Sequence, residues 1–120
     1  LGADRDTLTI VDDQIGGPTG AAEIAQACVT IARALKTAPQ LSGIYHFAGA
    51  PDASWADFAR SIFEKAGLGC TVTGIPSSEY PTPATRPMNS RMDCTATTIA
   101  FGITRPDWHT SLDDILAQLK

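Results

Sequence analysis

Thr7-Leu8-Thr9-Ile10-Val11-Asp12-Asp13-Gln14-Ile15-Gly16-Gly17-Pro18-Thr19-Gly20 is the stretch on which the fold turns. Leu8 and Ile10 alternate with threonines, the period of a half-buried strand, and Asp12-Asp13 ends the run. No regular element tolerates Gly16-Gly17-Pro18-Thr19-Gly20, so a turn or loop must follow. Ile24, Ala27, Cys28, Ile31 and Leu35 then recur at helical spacing, which predicts a helix over 21–35 with one apolar stripe that includes Cys28. Thr19 is the expected N-cap, Glu23 and Lys36 complement the helix dipole at its two ends, and Pro39 stops it.

The alternation continues. Ile44-Tyr45-His46-Phe47, between Gly43 and Gly49, fits a strand covered on both faces, as in a parallel sheet. Ser54-Trp55-Ala56-Asp57 reads as a capping box with Asp in place of Glu. It opens a helix over 55–66 that buries Trp55, Phe58, Ala59, Ile62, Phe63 and Ala66 and ends at Gly67. A short strand is expected over 71–75. Pro76, Pro81, Pro83 and Pro87 then exclude a helix or a central strand, leaving a long Pro-rich loop over 76–91 of the kind that often carries function. A short helix over 95–101, capped by Thr95 and ended by Gly102, precedes a turn containing His109 and a last helix over 111–119. That helix should turn Leu112, Ile115, Leu116 and Leu119 inward. Residues 1–120 therefore read as one domain of α/β class. A strand like 44–47 normally lies inside a sheet, and the chain supplies few strands to flank it. The missing strands are expected N-terminal to Leu1.

The composition narrows the partners. With 43% hydrophobic and 18% charged residues in 120, the chain can bury a core. Nine Lys+Arg against thirteen Asp+Glu give a net charge of −4, which argues against nucleic acid or an anionic membrane as partner. No apolar run approaches the roughly 20 residues of a membrane-spanning helix. Leu1-Gly2-Ala3-Asp4-Arg5-Asp6 lacks the regions of a signal peptide, and the missing initiator Met suggests a trimmed chain. Cys28, Cys70 and Cys94 are too few and too scattered for a disulfide framework or a metal site, and read as reduced thiols of a cytoplasmic protein.

Most catalytic signatures are missing. Gly67-Leu68-Gly69 leaves a helix and meets Val72 where a third glycine belongs, so it is no dinucleotide fingerprint. Neither Tyr45 nor Tyr80 has a lysine four residues on. His46 reads as a core histidine, and Asp12-Asp13 as a strand end rather than a carboxylate pair. Two segments stand out. In 13–19, Gln14, Thr19 and the amides of the helix start suit a hydroxylated or anionic ligand, the alternative being a tight strand-to-helix connection. In Tyr80-Pro81-Thr82-Pro83-Ala84-Thr85-Arg86-Pro87-Met88-Asn89-Ser90-Arg91, no acid intervenes between Glu79 and Asp93. Arg86 and Arg91, with Asn89 and Ser90 beside them on a proline-stiffened loop, suit a diphosphate and sugar hydroxyls. The alternative is a surface connection whose arginines pair with aspartates.

These segments together resemble the C-terminal part of the dTDP-4-dehydrorhamnose reductases, the RmlD-like sugar-nucleotide-binding proteins of the extended short-chain dehydrogenase/reductase superfamily. The resemblance covers nearly the whole chain. It rests on Val11 through Thr19, on Gly43-Ile44-Tyr45-His46-Phe47-Ala48-Gly49, on Ser54-Trp55 with Phe58-Ala59, on Tyr80-Pro81-Thr82-Pro83-Ala84 with Arg86-Pro87 and Asn89-Ser90-Arg91, and on Pro106-Asp107-Trp108. It implies that strand 44–47 joins a Rossmann sheet lying outside this chain. It also implies a whole protein that reduces dTDP-4-dehydro-L-rhamnose to dTDP-L-rhamnose with NADPH or NADH. The chain would supply the dTDP-sugar site, with Gln14, Thr19, Arg86, Asn89, Ser90 and Arg91 as substrate-binding residues. The Gly-rich turn, the catalytic Ser/Thr and the Tyr-x-x-x-Lys pair belong to the missing half, so the chain alone is expected to bind no cofactor and to hold no catalytic residue. Thr85 stands where an Arg is common and Gly20 where a larger residue is, which bears on the nucleotide and the sugar bound. A non-catalytic module of the same fold is the alternative, and a homo-oligomer completing the open sheet is a third reading.

Overall fold

The structure, a computed structural model, describes residues 2–119. In chain order its elements are β1 (Thr7–Val11), β2 (Ile15–Gly16), α1 (Ala21–Thr37), β3 (Ala53–Ser54), α2 (Trp55–Ala66), β4 (Thr71–Ile75), α3 (Thr95–Phe101) and α4 (Trp108–Gln118). Short 3₁₀ turns lie at Pro39–Leu41 and Ser77–Glu79. The mixed α/β class expected from the alternation is the class observed.

β1 and β4 pair in parallel, from Thr7 opposite Thr71 to Val11 opposite Ile75. Their threonines face solvent, while Val72 is buried and Leu8 and Ile10 are half-buried, as the period of two requires. The crossover between these strands contains α2, which lays Ala56 and Ala59 against Val72, with Ile10 and Phe63 packed around them. α2 starts where its capping box dictates. Ser54 Oγ accepts from the Asp57 amide at 3.0 Å, and the Ser54 amide donates to Asp57 Oδ2 at 3.3 Å. It stops at Gly67, whose φ of 68° is left-handed. α4 closes over α2. Its Trp108 is buried, meets Phe58 edge-on with ring centroids 5.4 Å apart, and donates its indole N–H to Pro51 O at 2.7 Å. β2 and β3 form a second, minimal antiparallel pair.

Several expectations change. α1 is capped by Gly20 with no side-chain bond, not by Thr19, and it runs to Thr37. Its predicted stripe is covered in part: Ala27 is buried and Ile31 and Leu35 are half-buried, but Ile24 and Cys28 are exposed, as is the neighbouring Val29. The segment 44–47 is not a strand here. It has no ladder partner among the described residues, His46 is exposed rather than in a core, and Ile44 is 89% exposed. Trp55 faces outward at 58% exposure. α3 is capped at Cys94, with Asp93 accepting from the Thr95 amide at 2.9 Å. α4 begins three residues early, because Asp107 accepts from the His109 amide at 2.9 Å and so brings His109 into the first turn. Ile115 and Leu119 on it are exposed.

Candidate functional site

β1 and β4 run side by side and end together, so the segments leaving the two strands emerge on the same edge. Val11 opposes Ile75, which carries Asp13 and Ser77 into register two residues further on. The Asp13 carboxylate takes both Ser77 donors: Oδ2 accepts the amide at 2.8 Å and Oδ1 accepts the hydroxyl at 2.6 Å. The Ser77 hydroxyl holds Asp13 below the usual carboxylate range, and the Ser77 amide adds to the effect. Gln14 Nε2 in turn donates to Ser77 Oγ at 2.8 Å.

The Pro-rich loop returns to the same edge. Ile15 donates its amide to Met88 O at 2.9 Å and accepts the Ser90 amide at 2.8 Å. Between this loop and the β1–β2 turn opens a cleft of about 1390 Å³. Gln14, Thr19, Arg86 and Ser90 line it, together with Trp55 and Phe58 from α2 and Ser77, Ser78 and Tyr80 beyond β4. The two segments singled out in the sequence thus meet and line one cleft. Arg86 is exposed and has no ion-pair partner among the described residues. Arg91 and Asn89 do not line the cleft: Arg91 Nε donates to Asn89 Oδ1 at 2.9 Å, and so does the Arg91 amide at 3.1 Å.

The glycine-rich turn is no phosphate cradle. Thr19 Oγ1 donates to Gly17 O at 2.8 Å and accepts the Gly49 amide at 2.9 Å, so its hydroxyl is consumed within the protein. A Cβ on Gly49 would run into the Pro18 carbonyl, and one on Gly17 into the Gly49 carbonyl. The glycines let two backbones touch. The start of α1 is held by Glu23, which packs over Gly20 and accepts the Ser111 hydroxyl at 2.7 Å. A carboxylate there opposes an anion and leaves a hydroxylated ligand as the better match to these amides.

Sequence reasoning missed Ser77, which meets Asp13 across 64 positions of chain. It also assigned Trp55 to the core. The only signal for Ser77 was its place two residues beyond a strand that mirrors β1.

The arrangement has known counterparts. A dTDP-4-dehydrorhamnose reductase of Sinorhizobium fredii is 43% identical over 113 residues, covering 89% of this chain and 38% of the relative. The crystal structure of a dTDP-4-dehydrorhamnose reductase from Clostridium acetobutylicum superposes with a TM-score of 0.89 at 29% identity, over 99% of this chain and 41% of that one. That of Bacillus anthracis, in complex with NADP, gives 0.84 at 29% identity, over 98% and 40%. The chain therefore spans about two fifths of the length of the proteins it matches. A family model described as the RmlD substrate binding domain matches residues 1–120, and the chain belongs to that family.

Proposed function

We propose that this chain is the dTDP-sugar-binding domain, 1–120, of an NAD(P)H-dependent dTDP-4-dehydrorhamnose reductase. The observation that carries the reading is Arg86. It is a guanidinium without an acidic partner among the described residues, lining a cleft beside which the Asp13 carboxylate is already committed to Ser77. Such a group suits a diphosphate, which it grips with two parallel bonds. Gln14 and Ser90 offer hydrogen bonds to sugar or base. Asn89 and Arg91 brace the end of the loop, with Arg91 adding positive potential. Thr19 shapes the wall through its backbone ties. Trp55 and Phe58 give the cleft an apolar side.

The cofactor, NADPH or NADH, is held by the part of the reductase outside this chain. The same part covers α1 and continues the extended segment 44–47 as a strand. The protein works in the cytoplasm, on a water-soluble nucleotide, and copies of it associate through apolar surface left over.

The test is calorimetric titration of dTDP-L-rhamnose into the protein as encoded in its gene. Arg86→Ala should weaken binding about tenfold or more, the worth of a hydrogen bond to a charged group, with little change in melting temperature. Unchanged affinity overturns the assignment of the loop.

A further inference from the structure

The chain of bonds Asp13–Ser77–Gln14 has a direction. An ionised carboxylate only accepts, so both Ser77 donors must point at Asp13, as their distances of 2.8 and 2.6 Å require. The Ser77 oxygen has then given its one proton away and can only accept from Gln14. That fixes the Gln14 amide with its nitrogen toward Ser77, at 2.8 Å. Gln14 Oε1 is left with no partner among the described residues, and Gln14 is one of the residues lining the cleft.

We propose that Gln14 presents Oε1 as an acceptor to a hydrogen-bond donor on the ligand, and that Asp13 and Ser77 are positioning residues that set this polarity without touching the ligand. The inference rests on the reading of the cleft as a nucleotide-sugar site. Such ligands carry donors of two kinds, the hydroxyls of the hexose and the groups of the nucleoside. An unanchored glutamine could turn its amide over and offer N–H groups instead. Here that would set the amide oxygen against a Ser77 oxygen with no proton left to give, and one hydrogen bond would be lost.

Asp13→Asn reverses the chain. Asn Oδ1 still accepts the Ser77 amide, but Asn Nδ2 now donates to Ser77 Oγ. The Ser77 proton turns toward Gln14, and the Gln14 amide flips to meet it. The cleft then faces N–H where it faced oxygen, although every residue keeps its size.

The experiment is titration of dTDP-L-rhamnose and of dTDP into the protein as encoded, in the wild type, Gln14→Ala, Asp13→Asn, Ser77→Ala, Ser77→Thr and the double variant Asp13→Asn/Gln14→Ala. Gln14→Ala and Asp13→Asn should each weaken dTDP-L-rhamnose binding about three- to tenfold. Ser77→Ala should weaken it similarly, and Ser77→Thr, which keeps the hydroxyl, should restore it. Once Gln14 is alanine, Asp13→Asn should change affinity less than about twofold, because Asp13 then has nothing to orient. A loss confined to dTDP-L-rhamnose places the donor on the hexose, and an equal loss with dTDP places it on the nucleoside. Additive losses would overturn the proposal, since Asp13 would then act only on structure. So would full affinity in Gln14→Ala while Arg86→Ala still weakens binding, which leaves the cleft standing and removes Gln14 from it. If the wild type binds neither nucleotide, the reading of the cleft itself falls, and this inference with it. Should Asp13→Asn not fold, the Ser77→Ala and Ser77→Thr pair decides between the same outcomes.

Discussion

At Gly49 the backbone approaches Pro18 so closely that one methyl group has no place to go. Gly49→Ala should therefore destabilise the protein by about 1–3 kcal/mol, the usual penalty of overpacking, read as a lower urea midpoint at constant slope. Thr19→Val tests the same junction. It removes the acceptor of the Gly49 amide while keeping the shape, and should lower stability by about 1–3 kcal/mol. At this scale the sequence was legible where chemistry is local. A cationic, acid-free loop pointed to Arg86, and a polar residue at a strand end pointed to Gln14. It was not legible where a residue's partner lies far along the chain. Thr19 reads as a helix cap because threonine before a helix usually is one, yet its hydroxyl is taken by Gly17 and Gly49. Glu23 reads as a dipole partner, and it is placed as one in the first turn, but there it also takes the Ser111 hydroxyl and puts a negative charge beside the turn.

The elements are set by their ends more than by their stripes. Both termini of α2 follow from Ser54, Asp57 and Gly67, and all three were readable. Ser54→Ala should lower stability by about 1 kcal/mol through loss of the cap. Asp57 is held below the ordinary carboxylate range, first by the Ser54 hydroxyl, with the Ser54 amide and Arg60 adding to it against the opposing effect of burial. Because its pKa is lower in the folded state, the stability it contributes is fully present above about pH 4, where unfolded aspartates ionise. That stability is lost as pH falls through the folded value. Asp13 and Asp93 are shifted in the same direction by Ser77 and Thr95, and Asp107 by His109, so acid should act on several carboxylate hydrogen bonds at once. Thermal midpoints between pH 6 and pH 3 should fall less steeply for Asp57→Asn than for the wild type, and equal slopes would remove Asp57 from this role. The stripe of α1 and the run 44–47 are apolar as read, but the described residues cover them only in part: Ile31, Leu35, Tyr45 and Phe47 are half-buried, whereas Ile24, Cys28 and Ile44 are exposed. Periodicity tells which side of an element wants burial, not whether the chain itself supplies the cover.

The whole molecule carries the same signature. Its radius of gyration is 17.1 Å, and its extents are 53 × 35 × 21 Å. A compact domain of this length would have a radius of about 14 Å. Its accessible surface is 7894 Å², against the roughly 6,200 Å² typical of a folded monomer of this mass. The excess of about 1,700 Å² is about twice the roughly 800 Å² that one partner buries in a standard protein interface. Ile24, Val29, Ile44, Ile99 and Leu119 stand on that surface. The isolated 120-residue polypeptide should therefore scatter light as more than one copy at micromolar concentration, and Ile44→Lys with Val29→Lys should shift it toward the monomer. A wild-type monomer that binds no apolar dye would show that this surface needs no partner. The central claim is that one cleft, walled by the β1–β2 turn and the Pro-rich loop, holds a dTDP-sugar. Amide hydrogen exchange of the protein as encoded, with and without dTDP-L-rhamnose, tests it most directly. Protection should rise in residues 13–19 and 77–90 and leave α3 and α4 unchanged. Saturating ligand that protects other segments and spares these two would contradict the account.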